Sequence, residues 1–164
     1  MIVSPLEKTV IYIDMDHTLC DYAAGFKEYQ RRFPELQFPQ SVEGFYLNLK
    51  PLEGAVETFH WLNNKAETEV FILTAPSVKN VHSYSEKRLW VEKFLGFDVV
   101  HRLIISAHKG LNQGDFLIDD YASGKGQEYF SGTLIQFGSK SFPDWKSVKE
   151  FFTLVDSTES DPSS

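Results

Sequence analysis

Five stretches of the chain are apolar at consecutive positions: TVIYID (9–14), EVFILT (69–74), VVHRLII (99–105), DFLID (115–119) and GTLIQF (132–137). A strand with one wet face alternates apolar and polar residues. A continuous apolar run suits a strand covered on both faces, as in a parallel sheet. Between these runs the pattern takes the helical period. GAVETFHWLNNKA (54–66) carries Ala55, Val56, Phe59 and Leu62 on one face. SEKRLWVEKFLG (85–96) gathers Leu89, Trp90, Lys93 and Phe94 and stops at Gly96. PDWKSVKEFFTLV (143–155) opens on Pro143 and Asp144 and carries a stripe of Trp145, Val148, Phe151 and Phe152. Apolar periodicity with these start and stop residues predicts helices. Strands alternating with helices predict an α/β three-layer sandwich around a mainly parallel, Rossmann-like sheet.

Two regions break the alternation. Residues 21–50 follow the first strand, begin as a short helical pattern (DYAAGFKEYQRRF) and continue as a Pro-punctuated, aromatic-rich segment. An insert there is placed to cover the carboxyl end of the first strand. The expected organisation is a core of residues 1–20 and 51–155, a small helical cap of residues 21–50, and a polar, disordered tail over 156–164. No repeat and no second domain of ordinary size is visible.

Composition narrows the class. The 164 residues are 42% hydrophobic and 15% aromatic, enough for one sizeable core. A net charge of −7 argues against binding polymeric nucleic acid, which needs a basic face. A small phosphorylated ligand remains compatible, because a metal or a lysine reverses the potential locally. The single cysteine, Cys20, allows no disulfide within the chain and no cysteine-based zinc site. The first ten residues lack the pattern of a signal peptide. No apolar run approaches the ~18–20 residues that span a bilayer. The expectation is a soluble, cytoplasmic protein with no membrane contact; its oligomeric state is open.

Ligands of open α/β sheets sit outside the carboxyl ends of the strands. The first strand ends at Asp14-Met15-Asp16, the second at Thr74-Ala75-Pro76, and the fourth at Asp119-Asp120; Lys109 follows the third. Residues two apart on a strand share a side, so Asp14 and Asp16 are expected to face one spot. Four carboxylates, a hydroxyl, a backbone N–H at Ala75 and an ammonium suit phosphoryl transfer, where catalysis is mainly positioning and charge neutralisation. Mg²⁺ binds hard oxygen ligands, and acids from the first and fourth strand ends, Asp14, Asp16, Asp119 and Asp120, are its candidate ligands. Asp14, which closes the strand, is the candidate nucleophile. Asp16, nearer the entrance of the leaving group, is the candidate acid and base. Thr74, Ala75 and Lys109 are the candidate phosphate binders.

The order DxDxT, strand-ending Thr, Lys, strand-ending Asp-Asp resembles that of the haloacid dehalogenase-like hydrolases. The resemblance implies Asp14 as nucleophile, Asp16 as general acid/base, Thr74 and Lys109 on the phosphate, and Asp119 and Asp120 on the metal. The blocks DMDHTLCDY, GFYLNLKPLEGAVE, VFILTAPS, EKRLWVEKFLG and DFLIDDY are similar, more narrowly, to those of the 5'(3')-deoxyribonucleotidases, over most of residues 9–122. That likeness implies a Mg²⁺-dependent phosphatase for deoxyribonucleoside monophosphates, with Lys87 also on the phosphate. It implies a nucleoside pocket at Tyr22, with Phe26, Phe45 and Tyr46 close by. Two departures stand out: His17 replaces the glycine usual after DxD, and the insert is shorter than in the animal enzymes. Singly, each motif reads as an ordinary turn or an exposed lysine, and the histidines lack an H-E-x-x-H spacing. The alternatives are a phosphatase for another small phosphoester, such as a sugar phosphate, and a nucleotide-binding module with weak catalysis.

Overall fold

The computed structural model describes residues 8–159. Strands β1 (Thr9–Ile13), β2 (Thr68–Thr74), β3 (Leu103–Ile105), β4 (Phe116–Asp119) and β5 (Thr133–Gln136) form one sheet in the order β3-β2-β1-β4-β5. Every pairing is parallel, with Ile11 opposite Val70 on one side and Phe116 on the other. Helices α1 (Tyr22–Arg32), α2 (Ala55–Asn63), α3 (Ser83–Leu95), α4 (Phe97–Val100) and α5 (Trp145–Glu159) complete the α/β sandwich. The chain runs from central β1 through β2 to β3 at one edge and then crosses to β4 on the other side of β1, which makes the β1/β4 boundary a topological switch point.

The layers are unequal. Ile11, Ile13, Val70, Ile72, Ile118 and Ile135 share a core with Phe59 and Leu62 of α2, Trp90 and Val91 of α3, and Trp145, Val148 and Phe152 of α5. Burying each large apolar side chain contributes about 1.5–3 kcal/mol. On the other face Tyr12, Leu73 and Leu117 meet Phe130, and Val10, Phe71, Ile104 and Leu134 remain partly buried around them. Loops with short 3₁₀ turns at Lys109–Leu111 and Gln127–Tyr129 connect β3 to β4 and β4 to β5.

Residues 21–50 pack as part of the main core. Asp21 caps α1 by accepting from Ala24 N–H at 3.0 Å. Beyond α1 a 3₁₀ turn at Pro39–Ser41 precedes Phe45, Tyr46 and Leu49, all buried in the same cluster as the sheet. Trp90 Nε1–H donates to Leu49 O at 2.8 Å, and Glu86 accepts from the N–H groups of Gly44 (2.5 Å) and Tyr46 (3.0 Å).

Three local expectations differ from the structure. The run 99–105 is a strand only from Leu103: Val99 and Val100 close α4, and polar His101 and Arg102 form the turn between, with Arg102 N–H donating to Val99 O. Leu89 lies outward on α3 and is exposed, because the buried face carries Glu86 and Lys87 beside Trp90 and Val91. Two buried charges on a helix hide its inner face from apolar periodicity. Finally, α5 continues to Glu159, into the segment expected to be disordered, and residues 160–164 lie outside the described residues.

Candidate active site

β1 ends at Ile13, but Asp14 N–H still donates to Ile118 O at 2.9 Å, so the backbone of Asp14 is fixed by the neighbouring strand. The chain then wraps around one carbonyl: Met15 O accepts from the N–H groups of Thr18, Leu19 and Cys20. Trp145 Nε1–H binds Thr18 O at 2.8 Å and ties this loop to α5. Within it His17 has φ +60°, the left-handed region.

Buried ion pairs join the strand ends. Lys109, 1% exposed, places Nζ 2.7 Å from Asp14 Oδ1 and also binds Asp119 Oδ2. Lys87, fully buried, reaches Asp16 Oδ2 at 2.8 Å and Thr74 Oγ1 at 2.7 Å. Asp119 Oδ1 accepts from Tyr121 N–H (2.9 Å) and Gln127 Nε2–H (3.2 Å). One carboxylate oxygen each of Asp14, Asp119 and Asp120 lies within 4.8 Å of the others. Asp16 Oδ1 is buried with no hydrogen-bond partner in the structure.

The electrostatics follow from this crowding. Burial, then the Asp14 and Asp119 charges, push Asp120 up to about 7. Burial and Asp14 raise Asp119, with Lys109 opposing. For Lys109 burial is the largest influence and lowers its pKa, but Asp14 and Asp119 together outweigh it and the net shift is upward. Lys109 therefore stays an ammonium between two carboxylates. Tyr46 is pushed up to about 12, chiefly by burial, and Tyr22 is raised further for the same reason.

A cavity of about 300 Å³ opens over this cluster, with Asp14, Asp16, Ala75, Lys109, Asp119 and Asp120 in its wall. Tyr22 and Tyr46 line it as well. The other expected residues stand behind it. Thr74 and Lys87 are fully buried and outside the cavity wall. Phe45 is also fully buried, packed edge-on against Tyr22, Tyr29 and Tyr46. Phe26 stacks behind Tyr22, with ring centroids 6.3 Å apart. The Asp16 carboxylate, expected with the metal ligands, pairs with Lys87 and does not join the Asp14/Asp119/Asp120 cluster. Asp14 and Asp16 still line one cavity, although the strand itself stops at Ile13.

Several wall residues carried no sequence signal. Gln127 is 3% exposed; its Nε2–H holds Asp119 and its Oε1 accepts from Lys125 N–H at 2.8 Å. Lys125 O in turn accepts from Lys109 N–H at 2.7 Å. Both lie in SGKGQ (123–127), a glycine stretch with no phosphate-loop spacing. The loop packs so closely on its neighbour that a Cβ on Gly110 would come within 2.6 Å of Gly126 O.

The family model described as "5' nucleotidase, deoxy (Pyrimidine), cytosolic type C protein" matches residues 36–145. A protein of Vibrio phage KVP40 that carries the 5'(3')-deoxyribonucleotidase name is 37% identical over 155 residues, covering 90% of this chain and 86% of its own. The human 5'(3')-deoxyribonucleotidase of cytosolic type is 33% identical over 147 residues, covering 72% of this chain and 73% of its own. The chain therefore belongs to the 5'(3')-deoxyribonucleotidase family of the haloacid dehalogenase-like superfamily.

Proposed function

We propose that this protein is a Mg²⁺-dependent phosphatase that hydrolyses deoxyribonucleoside monophosphates through an aspartyl-phosphate on Asp14. The observation that carries the reading is the buried strand-end array: Asp14 bridged to Asp119 by Lys109, with Asp16 held apart by Lys87. Family membership supports a phosphomonoester hydrolase of the nucleotidase type.

The donor set fits a hard divalent cation. Three carboxylates converge within 4.8 Å, and Asp119 and Asp120 are raised first by burial and then by the charge of Asp14. Asp14, Asp119 and Asp120 would hold Mg²⁺, which when bound neutralises charge on the phosphate oxygens. Everything else is done by the chain. One oxygen of Asp14 is engaged by Lys109, and the carboxylate attacks phosphorus through its other oxygen. The P–O bond to the leaving alcohol breaks as the Asp16 carboxyl, on the cavity wall, gives that oxygen a proton. A water then attacks the aspartyl-phosphate, its proton passes to Asp16, and inorganic phosphate and free Asp14 result. Lys109 stabilises charge from inside the wall, and Ala75, in the same wall, would offer its backbone N–H. Thr74 and Lys87 act from beneath, fixing Asp16 rather than meeting the phosphate in this state.

Tyr22 and Tyr46 would face the nucleoside, with Phe26 and Phe45 supporting them from behind. Residues 21–50 would serve as a small cap over the strand ends. Among the described residues no helix is long and apolar enough to cross a membrane. The cytosolic type of the human relative supports a cytoplasmic site of action.

The test is a panel of phosphomonoesters assayed with and without Mg²⁺. Deoxynucleotides are expected to lead the panel, and Asp14→Asn is expected to lose at least ~10³-fold in kcat, since the covalent step has no other nucleophile. Full turnover by that variant would refute the mechanism. An equal rate for a generic aryl phosphate would favour another small phosphoester as substrate. Tight nucleotide binding with no turnover would favour the weakly catalytic module.

A further inference from the structure

Among the described residues a single non-glycine residue has positive φ, and it is His17. A side chain in the left-handed region meets the neighbouring carbonyl, a strain that histidine bears better than most residues and glycine does not feel. A glycine would relax this loop. An imidazole kept against the backbone's preference, one residue from Asp16 and on the cavity wall, calls for a use of the ring.

The ring is placed for one. It lies 4.6 Å from the Tyr22 ring, tilted by 38°, and both line the cavity together with Asp16 and Tyr46. Tyr22 is itself supported, edge-on by fully buried Phe45 at 5.2 Å and by stacked Phe26 at 6.3 Å. His17 thus fronts an aromatic cluster that fully buried Phe45 anchors in the core. Because Asp16 would protonate the leaving oxygen, the alcohol portion of the substrate must pass beside the residue next to it.

We propose that His17 is a specificity-determining residue: with Tyr22, whose ring it meets at 38°, it forms the aromatic ledge against which the base of the substrate lies while the phosphate sits at Asp14. The inference rests on the deoxynucleotide reading and adds to it the contact that senses the base. Imidazole offers a π face together with ring nitrogens at its edge. Stacking on an aromatic face tolerates every base. The ledge therefore separates substrates with a base from those without one and discriminates little among bases.

The experiment compares kcat/KM for a deoxynucleoside 5'-monophosphate with that for deoxyribose 5-phosphate, which keeps the sugar and phosphate and lacks the base. Wild type, His17→Asn and His17→Gly are assayed in saturating Mg²⁺, with Tm recorded for each. Asparagine and glycine both accept φ +60°, so both variants keep the backbone and remove the ring. The expected result is a fall of about tenfold in the ratio for both variants, the size of one lost base–aromatic stack. A fall in both activities that leaves the ratio intact shows His17 acting on the reaction centre or the loop and overturns the inference. So does an unchanged ratio with unchanged rates, in which case the ring has no substrate to touch. A wild-type ratio near one removes the deoxynucleotide reading itself. A high wild-type ratio that survives the substitutions removes only His17.

Discussion

Replacing Glu86 with alanine removes an acceptor from two backbone donors at once. Glu86 is 4% exposed on α3, and its two oxygens receive the N–H groups of Gly44 at 2.5 Å and Tyr46 at 3.0 Å, 42 and 40 residues away in sequence. Alanine leaves both donors without a partner. An orphaned buried N–H costs about 1–3 kcal/mol. Some water entry will relieve the Gly44 side, so the total is set at about 3 kcal/mol. For a chain of this size each kcal/mol lowers Tm by about 2–4 °C, which gives a fall of about 6–12 °C. Glu86→Gln keeps one acceptor and turns an NH₂ toward the second donor, for a smaller loss of about 1–2 kcal/mol. Because Tyr46 lines the cavity, alanine should also raise KM for a nucleotide several-fold more than it lowers kcat. Thermal and urea unfolding measure the first effect and steady-state kinetics the second. A Tm within about 2 °C of wild type, with KM unchanged, would show that Glu86 does not hold the insert.

The acidic cluster makes a pH and metal prediction. Asp120 in the metal-free protein is pushed up to about 7, against an ordinary carboxyl near 3.8, and Asp119 shifts the same way. The folded form thus binds more protons than the unfolded chain between these values, so this contribution to stability is full below about pH 4 and is lost as pH rises through about 7. Mg²⁺ must displace the proton, so its affinity should be about tenfold weaker at pH 6 than well above pH 7, and the Tm rise it gives should be larger at pH 8 than at pH 6. Calorimetric titration at both values checks this, and a pH-independent affinity would contradict it. Gly110→Ala is the steric counterpart: a Cβ there meets Gly126 O at 2.6 Å and Tyr129 Cβ at 2.7 Å. Parting the two loops should cost about 1–3 kcal/mol and lower kcat by displacing Lys109, both measurable on the purified variant.

Legibility in the sequence followed how local each cause was. Asp14, Thr74 and Asp119 were readable because a buried strand ending on a polar residue in an α/β chain is itself the signal. Lys109 was readable from its place in the order of motifs. Glu86 and Gln127 were not, since each acts through a partner brought near only by the fold: Gly44 and Tyr46 for one, Asp119 and the Lys125 N–H for the other. The aromatics of residues 21–50 divided in a way that composition does not show. Tyr22 and Tyr46 reached the cavity, whereas Phe45 filled the core beneath them. The helices were legible where the buried face carries no charge, as on α2 and α5, and shifted on α3, whose inner face holds a lysine and a glutamate.

The strand order sets a gradient of wear across the site. Asp14, Thr74 and Asp119 hang from β1, β2 and β4, the three middle strands, each paired on both sides. Lys109 alone is suspended from β3, a three-residue edge strand that is only partly buried and paired on one side. Local opening starts where pairing is one-sided and burial is least. Under mild denaturant the first part to fray is thus the one that carries the charge linking the two central acids, and this enzyme should fall silent while most of its sheet is still folded.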